Sequence, residues 1–103
     1  MRIGTYQFAV SGNVNENYNE IEKAIYLAKN KDVQLLIFPE CALTGYPPRD
    51  ISNSSCVDFN LVQSMCDGLQ SLADQNNISF IVGTIFKEKE IYNRASISDL
   101  LIR

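Results

Sequence analysis

The stretch that most constrains this chain is Val33 to Asp50, VQLLIFPECALTGYPPRD. It opens with five apolar residues in six: Val33, Leu35, Leu36, Ile37 and Phe38. A short, continuous apolar run reads as a strand buried on both faces, as parallel strands between helix layers are. Pro39 stops it, because proline has no N–H to give to a sheet ladder. Glu40 follows at once, a carboxylate at the carboxyl end of a buried strand. In open α/β sheets, ligands bind at that end.

The flanking sequence supplies the elements such a strand needs. Arg2 to Val10 is expected to form a first strand, with Ile3, Phe8 and Val10 as anchors. Ser11, Gly12 and Asn13 make a loop. A helix is expected from Asn15, a good N-cap type, with Glu16 and Glu20 in its first turns. Tyr18, Ile21, Ala24, Ile25 and Ala28 recur at helical spacing and give it one apolar face. Lys29 and Lys31 sit at its far end, where the dipole favours cations. Strand, helix and buried strand make a βαβ unit, whose crossover should be right-handed.

Beyond Asp50, Ser55 with Asp58 resembles a capping box opening a second helix. Leu61, Met65, Leu69, Leu72 and Ala73 are its expected buried stripe, and Asn76 and Asn77 end it. Ile78 to Phe86 reads as a third strand, and Lys87 to Glu90 as a charged hairpin tip. Ile91, Asn93, Ala95 and Ile97 alternate along a fourth strand. The class is α/β, in the order β-α-β-α-β-β, with a mixed sheet and both helices on one face. Two helices cover about one face of such a sheet, so the other must meet the remainder of a larger domain or a partner chain.

Composition narrows the function classes. The 103 residues make one small domain or part of a larger one. Net charge is −3 with no basic cluster, so the electrostatic footprint of a nucleic-acid binder is missing. Nothing approaches the roughly 18 apolar residues of a membrane span. MRIGTYQFAV lacks a cleavage pattern and reads as a strand rather than a signal peptide. Histidine is absent, which excludes His-based triads and most zinc sites. Cys41, Cys56 and Cys66 are odd in number and lack C-x-x-C spacing, so a disulfide framework is not expected. There is no metal cluster and no phosphate loop, hence no metal and no cofactor. A cytoplasmic protein is expected.

The residues also carry a family resemblance. Phe38-Pro39-Glu40, followed by Ala42-Leu43-Thr44-Gly45-Tyr46-Pro47-Pro48 and Asp50, resembles the catalytic-glutamate segment of the nitrilase, or carbon–nitrogen hydrolase, superfamily. The GYPP run is similar to the glutaminase domain of glutamine-dependent NAD synthetases. Gln7, Asn17 with Ile21, Gly83-Thr84 and Tyr92-Asn93 with Ala95 match in register from about residue 2 to residue 97. The resemblance implies the N-terminal half of an α-β-β-α sandwich, two such halves packing sheet to sheet. It also implies a Glu-Lys-Cys triad, in which cysteine attacks an amide or nitrile carbon, glutamate is general base, and lysine stabilises the charged intermediate.

Only the glutamate carries over, as Glu40. The sequence ends at Arg103, ahead of the family's lysine and cysteine, and after Ile97 it lacks the family's turn residues. A truncated or frame-shifted product, inactive alone, is therefore one expectation. Cys41 neighbours Glu40 but should point the opposite way as a packing residue. Cys56 and Cys66 read as small buried hydrophobes, and Lys87 and Lys89 as solvated charges. Tyr46 either lines a substrate pocket or is rigid loop packing. Asn93 reads as a local hydrogen-bonder holding the hairpin. Three functions stay open: a hydrolase of a small amide or nitrile with Glu40 as base, a non-catalytic module pairing through its bare sheet face as a homo-oligomer or with a partner, and a non-functional remnant.

Overall fold

Two helices of nearly equal length end in the same way, and that ending lays out the sheet. The computed structural model describes residues 1–87 and 91–97. Its elements are β1 (Ile3–Thr5), α1 (Val14–Asn30), β2 (Leu35–Ile37), a 3₁₀ turn (Ser54–Cys56), α2 (Phe59–Asn76), β3 (Ser79–Lys87) and β4 (Ile91–Ile97). After α1, Asp32 adopts a left-handed φ of 58°, and after α2, Asn77 adopts 54°. Asp and Asn enter this region more readily than other non-glycine residues. The Val33 N–H then donates to Ala28 O at 3.0 Å, and the Ile78 N–H to Ala73 O, also at 3.0 Å. Each bond occupies a carbonyl that the helix end leaves unpaired, the Schellman arrangement. The sheet ladder starts at the next residue, with Gln34 N–H donating to Arg2 O and Ser79 N–H to Gln34 O, both at 2.9 Å.

The sheet runs β1-β2-β3-β4, with β1-β2 and β2-β3 parallel and β3-β4 an antiparallel hairpin. Because β1, β2 and β3 step across the sheet in one direction, two crossovers of the same hand put both helices on the same face. Register places Gly4 beside Leu36 and Leu36 beside Phe80 on that face. The core lies there: Ile21, Ala24, Ile25 and Ala28 from α1, Val62, Leu69, Leu72 and Ala73 from α2, and Leu36, Phe80 and Val82 from the strands. On the other face Ile3, Leu35, Ile37 and Ile81 are in register, and none of them joins the core. Ile3 is 57% exposed. Within the described residues β2 is therefore buried on one face, not two. None of the helices is long and apolar enough to cross a membrane, among the described residues.

Several sequence expectations are corrected. β1 spans Ile3–Thr5 rather than Arg2 to Val10, because its partner β2 is cut short by Pro39 and only Tyr6 N–H still reaches Ile37 O, at 3.0 Å. Tyr6, Phe8 and Val10 keep the alternation and pack on the core without a ladder. The N-cap of α1 is Asn13, not Asn15; its side chain accepts from Glu16 N–H at 3.1 Å. Ser55 and Asp58 do not form a capping box, since Asp58 itself caps α2, accepting from Leu61 N–H at 3.1 Å. Starting the helix there rotates Val62 into the core and leaves Leu61 and Met65 half-buried. Glu88–Glu90, including Lys89, and Ser98–Arg103 lie outside the described residues, as do the side chains of Lys87 and Asn93.

Leu69 is fully buried where both helices meet the sheet, so Leu69→Ala should cost about 2–5 kcal/mol, through lost transfer energy and a residual cavity. Half-buried Leu61 should cost clearly less on the same substitution. Urea unfolding midpoints of the two variants check the order, and equal losses would contradict this placement of α2.

Candidate active site

Strand β2 delivers its chain to a turn that is inside the protein for all but one residue. The Phe38 N–H donates to Ile81 O at 3.1 Å, one step past the end of β2. Glu40 then stands exposed, and the next five residues, Cys41 to Gly45, are buried. Ala42 and Leu43 belong to the core. Gly45 N–H donates to Cys41 O at 2.8 Å and closes the turn. The result is an anchored segment that presents a single carboxylate at the carboxyl end of the parallel strands, where open α/β sheets place ligands.

Cys41 is buried and Glu40 exposed, but not because they alternate along a strand. Both lie in a turn, and Cys41 takes a left-handed φ of 51°. Its side chain is fully buried. Burial pushes the thiol pKa up, and the nearby Glu40 charge adds to the effect, with Arg49 opposing. A thiol held protonated and out of solvent is a poor nucleophile. Cys66 in α2 packs partly against the core, whereas Cys56 is exposed in the 3₁₀ turn, contrary to its expected burial. All three cysteines are unbridged.

The loop that follows is closed by Asp50. Its Oδ2 accepts from Tyr46 N–H at 2.8 Å, while Asp50 N–H donates back to Tyr46 O at 2.8 Å. The Arg49 guanidinium adds bonds to the same oxygen at 2.8 and 3.0 Å. Between them Pro47-Pro48 is a cis peptide. Gly45, at φ 82°, is required here, since a Cβ on it would lie 2.7 Å from Asp50 Cβ and 2.8 Å from Ser11 O. Tyr46 is tied through its backbone and its side chain is 43% exposed. Among the described residues, one surface depression of about 420 Å³ lies beside Ser11, Glu16 and Lys23, and another of about 220 Å³ lies between the starts of α1 and α2, lined by Thr44 and Cys56. Glu40 and Tyr46 line neither.

Sequence reasoning placed Asn17 on the first helix but missed what it does. It is 1% exposed. Its Nδ2 donates to Ser11 O at 2.8 Å and Leu43 O at 2.9 Å, and its Oδ1 accepts from Ser11 N–H at 2.9 Å. The available signal was a carboxamide four residues before Ile21, on the apolar stripe. The role of Asp50 was missed as well.

Asp50 offers a test of this geometry. The Arg49 guanidinium first, then the Tyr46 N–H, hold its carboxyl pKa below the ordinary value. A depressed folded pKa stabilises fully above the unfolded value, about 3.9, and that stabilisation is lost as pH falls through the folded value. The stability gap between wild type and Asp50→Asn should therefore be constant above about pH 5 and shrink below about pH 4. Urea titrations from pH 3 to 7 measure it, and a gap that does not narrow in acid would show that the carboxylate contributes nothing as an ion.

Comparison with known proteins places the architecture. The carbon-nitrogen hydrolase family matches residues 2–100. The chain is 34% identical over 76 residues to a glutamine-dependent NAD(+) synthetase of Synechocystis sp., covering 72% of this chain and 13% of that relative. It thus spans a small fraction of the curated relative's length. Among solved structures, an amidase from Nesterenkonia sp. superposes with a TM-score of 0.81 at 24% identity, over 96% of this chain and 38% of the amidase. A glutamine-dependent NAD(+) synthetase from Cytophaga hutchinsonii superposes with a TM-score of 0.70 at 24% identity, over 95% of this chain and 17% of the other. These likenesses carry the fold, the N-terminal portion of the nitrilase-like sandwich. The elements, their order and the match along nearly the whole chain agree: this chain belongs to the carbon–nitrogen hydrolase family.

Proposed function

We propose that Glu40 is the general base of a hydrolase acting on a small amide, in a site completed by a cysteine and a lysine from beyond residues 1–103. The observation that carries this reading is the anchored turn with one exposed carboxylate at the end of β2. In the reaction, Glu40 takes the thiol proton as sulfur bonds to the amide carbon. The lysine stabilises the oxyanion, usually the largest single contribution to rate. The C–N bond then breaks, nitrogen leaving as ammonia with the proton returned by Glu40, and water hydrolyses the thioester with Glu40 again as base. Local stand-ins are unsuited. Cys41 is buried with a raised pKa, Cys66 packs on the core, and Cys56 lies with the depression at the helix starts.

The relatives support a substrate class. The Nesterenkonia amidase has been solved with butyramide, and the NAD(+) synthetases are by name glutamine-dependent. We place the activity on an uncharged carboxamide of that size, with Tyr46 as a pocket-lining residue and no cofactor in this portion. Three unbridged cysteines suit a reducing cytoplasm. The chain alone should release no ammonia from glutamine or butyramide. Joined to the remainder of the domain from a family relative, it should do so, and Glu40→Gln should lower that rate by about 10²–10⁴-fold. A rate indifferent to Glu40→Gln would refute the base assignment.

The open sheet face favours a second, alternative role in assembly, in which a partner sheet occupies the face that the rest of the domain would otherwise cover. Ile3, Leu35, Ile37 and Ile81 stand in register outside the core, as a face awaiting another sheet does. The isolated chain should run as a dimer in light scattering, and Ile37→Glu should disperse it to monomers. A monomeric wild type would rule this role out.

A further inference from the structure

Strand β3 and helix α1 reach the Glu40 turn from two sides, β3 backbone to backbone and α1 through the Asn17 side chain. A Cβ on Gly83 would lie 2.6 Å from the Cys41 nitrogen and 3.3 Å from the Cα and carbonyl carbon of Glu40. The first distance is closer than real Cβ atoms come to backbone, so no other residue fits there without moving the Glu40–Cys41 peptide. Gly83 O also accepts from Leu43 N–H at 3.2 Å. Leu43 O in turn accepts from the Asn17 carboxamide at 2.9 Å. Leu43 is thus held through its N–H by β3 and through its C=O by α1, and its side chain is fully buried in the core.

We infer that Gly83 and Asn17 are positioning residues for Glu40, Gly83 setting how closely the Glu40 backbone lies on β3 and Asn17 fixing the far end of the same turn. The inference rests on the reading of Glu40 as general base, because position matters only if the carboxylate must meet a proton. Only Ala42 separates the Glu40–Cys41 peptide, which lies against Gly83, from Leu43, and Gly45 N–H closes the turn onto Cys41 O. Little freedom remains for the Glu40 Cα. A misplacement of about 1 Å at a catalytic group is enough to cost roughly 100-fold in rate, so a seat of this kind bears on catalysis as well as folding. Each acts on the backbone of the turn.

The test uses the chain itself and no turnover, so its outcome is separate from the ammonia assay that judges the base assignment. In the unmodified chain the Leu43 amide should exchange its hydrogen within about tenfold of the Phe38 amide, which is bonded to Ile81 O of β3, as members of one cooperative unit do. Exchange near the unstructured rate would overturn the inference. In ¹H–¹⁵N spectra, Gly83→Ala and Asn17→Ala should each displace the Glu40 and Cys41 amide resonances. Ile21→Val, which disturbs the core alone, should leave them in place. A folded Gly83→Ala or Asn17→Ala chain whose Glu40 and Cys41 resonances are unmoved would overturn it too. Should neither variant fold, the Leu43 exchange rate decides.

Discussion

A carboxamide that is 1% exposed must find its hydrogen bonds inside the protein, and Asn17 finds them on two segments at once. Its bonds run to Ser11, through the backbone N–H and C=O and the hydroxyl, and to Leu43 O. Losing such a partner strands buried polar groups, each at a cost of about 1–3 kcal/mol. This is why one polar residue persists on a stripe of Ile21, Ala24 and Ala28. Helix α1, the loop leaving β1 and the turn after β2 become a single body because they share that side chain.

Charge is handled differently on the two sides of the turn. Asp50 is satisfied by Arg49 and by the Tyr46 N–H, and its side chain is only 9% exposed. Glu40, ten residues earlier, is exposed. One carboxylate is committed to holding a loop shut while the other is presented to solvent. Cys41 is buried beside it, where desolvation first and then the Glu40 charge raise the thiol pKa, with Arg49 opposing. Adjacent residues thus separate a displayed acid from a silenced thiol.

Much of this was legible in the sequence, and the misses have physical causes. The order of elements followed from hydrophobic period, and the Phe38-Pro39-Glu40 junction from proline chemistry. The start of α1 was placed two residues late because Asn13 and Asn15 are both good caps, and periodicity does not choose between them. The stripe of α2 was read through Leu61 rather than Val62, a difference of one residue and about 100° around the helix. β1 was overextended because Tyr6, Phe8 and Val10 keep alternating after the ladder has lost its partner. Gly83 was visible as a motif residue, but its reason was not. Close backbone approach between segments forty residues apart leaves no local pattern, and neither does the second bond of a side chain such as Asn17.

The paired helix endings carry a consequence for how this chain tolerates change in length. Each left-handed residue, Asp32 or Asn77, is followed by one apolar residue and then by the first ladder bond. No slack separates helix from strand. One residue added at either junction would turn every side chain of the next strand to the opposite face. Leu36, or Phe80 with Val82, would leave the core, and Leu35 and Ile37, or Ile81, would enter it. The loop between Asp50 and Asp58 has no such coupling to a strand, so variation in length is far better accommodated there than at the two helix ends.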